Sequence, residues 1–287
     1  MWQKEERVTM KEYKTGYSVQ ELYSDTYVII DKGVGQGSVR MYLLVGSKKA
    51  LLIDSGHGLL NLKEIIATIT DKEVVCVCTH GHVDHALGAR QFDTSYLHSK
   101  DFDVFTMHSS DGFIDDMAIK GLMMAPMKRT RENPNYLARV EKMKEPHYLL
   151  PQALDDIEVF DLGGRTVTWR ATPGHTQGSV ILVDENNHVA FDSDTAAPGA
   201  WLFLPESSPL EDYKKVLEDY LVFIQEQGIT HRYAGHTGKA LSARNLQQLI
   251  SCVDTAMAKR EKGIKVKTLF GAARIVFAGG SLLFCGR

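Results

Sequence analysis

The chain has 287 residues, a formal net charge of −3 and 44% apolar residues, enough to bury a substantial core in one large or two smaller domains. That charge argues against a general polyanion binder, and the basic run Lys128-Arg129-Thr130-Arg131 reads as a solvated face. No window approaches the ~18 consecutive apolar residues of a bilayer span, and the charged opening Met1-Trp2-Gln3-Lys4-Glu5-Glu6-Arg7 lacks the apolar stretch of a secretory leader.

In chain order, Tyr17–Tyr23 and Tyr27–Ile30 read as strands. The turn Gly33-Val34-Gly35-Gln36-Gly37-Ser38 has a loose likeness to a phosphate loop. The run after it, Val39–Val45, is a strand, whereas a dinucleotide fingerprint needs a helix whose positive end meets the pyrophosphate. Lys49–Ile53 is an apolar strand ending in Asp54-Ser55-Gly56-His57-Gly58, and residues 59–70 carry helical spacing. A further apolar strand, Val74–Cys78, leads into a histidine cluster, after which Ala86-Leu87-Gly88-Ala89 starts a helix. Residues 101–150 break this rhythm with helices and loops rich in methionine, read either as adaptable core or as a pliable wall over a pocket.

The second half resumes with strands at Ile157–Phe160, Thr166–Ala171, Val180–Val183 and His188–Phe191. A helix over 210–227, a strand Thr230–Ala234, a helix near 242–259 and a closing hairpin (Ala273–Phe277 and Ser281–Phe284) complete the pattern. Strand–turn–helix repeats of this kind predict an α/β sheet protein. With no low-complexity linker, 1–287 reads as one domain of two similar halves, carrying an insert at about 101–150. The four cysteines, Cys76, Cys78, Cys252 and Cys285, include a Cys-x-Cys pair on one strand face and no Cys-x-x-Cys. Buried, reduced thiols in a cytoplasmic protein are expected.

The chemistry concentrates in Thr79-His80-Gly81-His82-Val83-Asp84-His85. Four metal-capable side chains within six residues, in a chain with eleven histidines in all, suit zinc and other borderline divalent ions. Metal-capable residues recur at later strand ends, as His175, Asp194 and His236, where α/β proteins commonly build sites. Gly174 and Gly235 each precede a histidine and are expected to let the backbone turn sharply. Seven such donors are too many for one tetrahedral ion and suited to two.

The string His80-Gly-His82-Val-Asp84-His85 resembles the H-x-H-x-D-H signature of the metallo-β-lactamase superfamily. Thr172-Pro-Gly-His175, Phe191-Asp-Ser-Asp194-Thr, Ala234-Gly-His236 and Leu51-Leu-Ile-Asp54-Ser-Gly are similar to its other motifs, in family order. The resemblance implies a four-layer αβ/βα sandwich, two mixed sheets flanked by helices. It implies one ion on His80, His82 and His175 and a second on Asp84, His85 and His236, with Asp194 bridging. Zinc is the first choice, iron and manganese the alternatives. Ser193 departs from the family's usual glycine, and Asp192 is a nearby rival to Asp194. Asp54 is expected to orient a ligand histidine through a hydrogen bond. His57 either borders the pocket or is structural, and Met123, Trp201 and Phe203 are candidate pocket walls. His98, His108, His147, His188 and His231 read as ordinary.

Two ions sharing a water would bring its pKa to about 7 and supply a bridging hydroxide, so no serine or cysteine nucleophile is needed. Asp84 would hold that nucleophile in line and pass a proton to the leaving group. An apolar wall favours a small carboxylic ester, lactone or thioester, as in the glyoxalase-II-like and lactonase-like branches. The alternatives are a phosphodiesterase or nuclease of the same fold, a di-iron redox protein, and a non-catalytic metal-structured binding module. A small-molecule substrate is expected, with no nucleic acid and no membrane. The oligomeric state, a homodimer included, is open. Asp84→Ala and Asp194→Ala are expected to abolish turnover, and Asp192→Ala to spare it.

Overall fold

The computed structural model describes residues 10–13, 16–31, 38–58, 60–124, 138, 140, 141, 144, 150–259, 262–268 and 270–286, without the side chains of 118–124. The glycine-rich turn at 33–37, the basic run Lys128–Arg131, Met127, Met143, His147 and the Met123 side chain lie outside the described residues.

Strands rich in valine, isoleucine, leucine and tyrosine build the first sheet. Its strands are β1 (Lys11–Glu12), β2 (Tyr17–Tyr23), β3 (Thr26–Asp31), β4 (Val39–Val45), β5 (Lys49–Ile53), β6 (Glu73–Val77), β7 (Ser95–Leu97) and β8 (Gln152–Ala153), joined in chain order. Neighbours through β5 are antiparallel and those from β5 onward are parallel. Parallel neighbours require crossovers. Helices α1 (Leu62–Ile66), α2 (Val83–Ala86), α3 (Phe102–His108) and α4 (Asp111–Met124) lie in those connections.

The second sheet contains β9 (Val159–Asp161), β10 (Thr166–Ala171), β11 (Val180–Asp184) and β12 (Val189–Ser193). After β13 (Ala200–Leu202) and the long helix α5 (Leu210–Glu226), β14 (His231–Ala234) returns parallel to β12, giving the order β14-β12-β11-β10-β9. Helix α6 (Ala243–Lys259) is followed by β15 (Ile264–Thr268), β16 (Gly271–Ala278) and β17 (Ser281–Cys285).

The sheets meet through one apolar interface. Val28, Ile30, Leu44, Ile53 and Val77 of the first pack on Val167, Leu182, Val189 and Phe191 of the second. The opposite face of the first sheet buries Ile29, Leu43, Leu52, Cys76 and Cys78 against Leu62, Ile65, Ala86 and Phe105 of its helices. The outer face of the second buries Ile181, Val183 and Ala190 with Tyr213, Leu217, Tyr220 and Leu249 of α5 and α6. This is an αβ/βα sandwich. It carries an addition to the two expected mixed sheets: a four-stranded sheet, β13-β17-β16-β15, whose Val276, Leu283 and Cys285 share the core of α5 and α6.

Two helices differ from the reading of the sequence. Of the helix expected over 59–70, only Leu62–Ile66 is helical among the described residues, capped by Asn61, whose side chain accepts from Glu64 N–H at 3.1 Å. The β-branched run beyond it ends the helix, and the Thr68 hydroxyl turns back to the Ile65 carbonyl at 2.8 Å. The helix expected from Ala86 begins earlier, at Val83, so Asp84 and His85 ride on it. It passes into a short 3₁₀ segment, Leu87–Gln91, in which Gly88 lies hard against the Ser55 backbone: a Cβ there would lie 2.1 Å from the Ser55 oxygen. All four cysteines are buried thiols, none joined in a disulfide.

Candidate metal centre

The C-terminal ends of five strands gather on one edge, each delivering part of a cluster. β6 leads to His80 and His82, and α2 carries Asp84 and His85. β10 leads to His175, β12 to Asp194, β14 to His236, and β5 to Asp54 below them.

The seven donors come together. His80, His82 and His175 form one group that could hold an ion, and Asp84, His85 and His236 another. His175 Nε2 is 3.0 Å from His82 Nδ1, and His85 Nε2 is 3.1 Å from His236 Nε2. Asp194 lies between the groups, its Oδ2 3.6 Å from His85 Nε2, 3.7 Å from His175 Nε2 and 3.4 Å from His236 Nε2. Asp84 Oδ2 is 3.5 Å from His85 Nε2 and 3.4 Å from His236 Nε2.

The outward nitrogens explain which atoms face inward. His85 Nδ1 donates to Asp54 Oδ2 at 2.8 Å, His175 Nδ1 to the Trp201 carbonyl at 2.9 Å, and His82 Nε2 to Glu206 Oε1 at 2.7 Å. His80 Nδ1 meets the Thr79 hydroxyl at 3.1 Å. Once those protons are assigned outward, the inward nitrogens present lone pairs to one another, which is unfavourable without a cation among them. His80 Nε2 and Asp194 Oδ1 are buried with no hydrogen-bond partner. A five-imidazole, two-carboxylate donor set with such orphaned atoms fits two borderline divalent cations.

The electrostatics agree. Burial, then the neighbouring His85, His82 and His175 rings, pushes His80 well below the ordinary histidine range, and burial with His82 takes His175 down to about 4. Burial would lower His85 too, but Asp84, Asp194 and Asp54 outweigh it and raise the ring to about 9. His236 likewise rises against burial, under Asp194 and Asp84. Burial would raise the two carboxyls, yet His85 and His236 hold Asp84 and Asp194 well below their usual range. The carboxylates stay anionic only by drawing positive charge toward them, which is the role bound cations would take.

Asp54 anchors the floor. It accepts from Thr79 N–H and the Thr79 hydroxyl, both at 2.8 Å, besides His85. The Ser193 hydroxyl donates to Asp54 Oδ2 at 2.8 Å. Asp54 (φ 61°) and Ser193 (φ 47°) both adopt the left-handed conformation, which costs a non-glycine residue about 1–3 kcal/mol. Where family relatives are expected to carry glycine, this chain accepts that strain and adds a hydroxyl beneath His85. The glycines before His175 and His236 serve space, not turning, since neither has a positive φ. A Cβ on Gly174 would meet the Tyr213 ring at 2.4 Å, and one on Gly235 would meet His85 Cε1 at 2.7 Å and Asp194 Oδ1 at 2.9 Å.

Asp192 points away from the cluster, into an ion pair with Arg232 and a hydrogen bond from Tyr220, all buried. Those partners tie β12 to β14 and to α5. His57 is half-buried with Nδ1 3.4 Å from Asp31 Oδ2. Trp201 contributes its carbonyl, while its ring packs on Phe203, Phe270 and Phe284 at 5.4, 5.7 and 5.6 Å.

Three residues escaped the sequence reading. Asp101, fully buried, accepts from Gly81 N–H at 2.8 Å, the Thr176 hydroxyl at 2.6 Å and Gly178 N–H at 2.7 Å, clamping two ligand loops together. No motif announces it. Glu206 fixes His82. His108, read as ordinary, stacks on His82 at 4.7 Å and 11°. His82, His108 and Glu206 also lie close enough to hold an ion. The parallel stack, however, sends the ring lone pairs side by side, and His108 Nδ1 already accepts from Val83 N–H at 3.4 Å, so the geometry favours orientation of His82 over a third centre.

An αβ/βα sandwich with paired histidine–carboxylate groups at its strand ends defines a class of hydrolytic metalloproteins. The chain belongs to the metallo-beta-lactamase superfamily, whose family model matches residues 34–227. It is 25% identical over 223 residues to the human protein "Acyl-coenzyme A thioesterase MBLAC2", spanning 74% of this chain and 77% of that one. A metallo-beta-lactamase from Pontibacter korlensis superposes with a TM-score of 0.58 at 16% identity, covering 83% of this chain and 99% of that one. A family protein from Thermus thermophilus gives 0.56 at 20%, covering 83% and 82%. The chain is accordingly a hydrolase of this superfamily, and the superfamily implies a divalent metal. No helix among the described residues is long and apolar enough to cross a membrane.

Proposed function

We propose that the protein is a dinuclear metal-dependent hydrolase of small carboxylic esters, lactones or thioesters, with thioesters the favoured class. The observation that carries this reading is Asp194, whose one carboxylate lies within 3.4–3.7 Å of histidines from both donor groups. His80, His82 and His175 would hold one ion, and Asp84, His85 and His236 the other, with Asp194 shared. Zinc suits this nitrogen-rich set best, with iron or manganese as alternatives.

When bound, the ions would acidify water and polarise the substrate carbonyl. The remaining work falls to the protein. Asp84, held anionic by His85 and His236, accepts a hydrogen bond from the attacking water and takes its proton. It then returns that proton to the departing thiol or alcohol. Asp54, Glu206 and the Trp201 carbonyl lock the rings of His85, His82 and His175, so the donors need not reorganise during reaction. The thioester preference draws on the relatives named as acyl-coenzyme A thioesterases. The four buried thiols support a reducing, cytoplasmic setting.

Metal analysis of protein purified without added metal is expected to give close to two ions per chain. A panel of acyl thioesters, p-nitrophenyl esters, lactones and bis-p-nitrophenyl phosphate then ranks the bond cleaved. Turnover of the phosphodiester alone would overturn the acyl reading.

A further inference from the structure

A cleft beside His82 takes no part in the chemistry above. It opens between α3, α4 and the segment after β13, walled by Met107, Phe113, Met117, Leu204, Pro205 and Phe270. His108 and Glu206 also line it, and each touches His82, one by stacking at 4.7 Å and the other by a 2.7 Å hydrogen bond. The cleft therefore begins one side chain away from the candidate ligands. At its lip Met107 is 47% exposed, leaving a way in from solvent. Methionine walls adapt to chains of differing shape.

Charge decides what the cleft can hold. Besides His108, its ionisable lining residues are Asp116 and Glu206, with no lysine or arginine among the described residues that line it. A phosphorylated leaving group or a carboxylate-tipped acyl group would face two acids there. An uncharged hydrocarbon would instead leave water for apolar walls. The second donor group offers the other exit, because the His236 side chain is 33% exposed.

We propose that this cleft receives the acyl half of the substrate as an uncharged hydrocarbon chain, with the leaving group directed toward His236. The inference rests on the ester-cleaving reading. In that reaction water adds to the acyl carbon, and the carbon–sulfur or carbon–oxygen bond breaks. The leaving group departs with that bonding pair and takes a proton from the water, yielding a carboxylic acid and a thiol or alcohol. Glu206 would be a positioning residue for His82 as well as part of the cleft's inner end.

The test uses the full chain, metal-loaded, with one constant leaving group, coenzyme A, and acetyl, butyryl, hexanoyl, octanoyl and succinyl acyl groups. kcat/KM is expected to rise about fourfold per buried methylene until the cleft is filled. Succinyl, with the same four carbons as butyryl, is expected to fall well below it. Met117→Trp, which occupies the cleft, is expected to cut the hexanoyl-to-acetyl ratio about tenfold or more, and Leu204→Ala to move the optimum to a longer chain. Asp116→Asn should raise the succinyl-to-butyryl ratio. Thermal unfolding checks that each variant is folded. A wild-type rate indifferent to acyl length, or ratios unmoved by both Met117→Trp and Leu204→Ala, overturns the cleft assignment and leaves ester cleavage standing. So does a rate that follows leaving-group size instead when p-nitrophenyl esters replace the thioesters. Failure to turn over any ester or thioester, with phosphodiester cleaved, overturns both.

Discussion

Removing the Asp192 carboxylate is expected to damage the fold, although sequence alone marks this residue as dispensable. Asp192 and Arg232 are both fully buried. Besides Asp192, the Arg232 guanidinium reaches the Ser242 carbonyl at 3.2 Å, and its Nε has no partner. Asp192→Ala would strand that charge in the core, a change that typically costs about 3–5 kcal/mol. Against a total stability of about 5–15 kcal/mol this is a large fraction. Burial offsets much of the attraction, pushing the Asp192 carboxyl above its ordinary range even with Arg232 beside it. Replacing both partners, as Asp192→Ala with Arg232→Met, is therefore expected to recover most of the loss, because no uncompensated charge remains. Urea denaturation of wild type, both single variants and the double variant gives the coupling directly. A loss under about 1 kcal/mol for Asp192→Ala, a value typical of an exposed pair, would refute the reasoning. So would a double variant no better than the worse single one.

Gly235→Ala should leave the sheets intact but push on His85 and Asp194, so bound metal measured by mass spectrometry is expected to fall below that of wild type while the far-ultraviolet dichroism is unchanged. Asp54→Ala removes the acceptor behind His85 and Thr79, and titration with zinc should show affinity about 10- to 100-fold weaker. Asp101→Ala leaves three donors in two ligand loops without their acceptor and is expected to destabilise by at least about 3 kcal/mol in urea. The metal-free protein, kept in chelator, should be most stable near neutral pH. The folded pKa values of His108 (about 3) and His175 (about 4) lie below the ordinary 6.5, so the unfolded chain binds more protons and stability drops as pH falls below 6.5. His85, at about 9, does the reverse: its contribution is present below 6.5 and lost as pH rises toward 9. A stability profile that rises or falls steadily across this range would contradict that account.

The seven candidate donors stand out in the sequence because four of them, His80, His82, Asp84 and His85, are close neighbours along the chain, and the others follow strands marked by apolar runs. The length of α1 and the close approach of Gly88 to Ser55 do not, since both rest on contacts that periodicity does not record. The third sheet escaped for a related reason. β13 has only three residues, and β15 alternates lysines with apolar residues along a largely exposed strand.

By itself the sequence determined the longer apolar strands, the chemical types of the candidate donors and the family they resemble, all of which are properties of neighbours along the chain. Only the tertiary structure decided that Asp194 joins both donor groups while Asp192 turns to Arg232, and that Asp101, Glu206 and His108 support the site. Those roles depend on which side of a strand faces a distant loop. Backbone packing sets that, between residues as far apart as His82 and Glu206, and no local pattern encodes it.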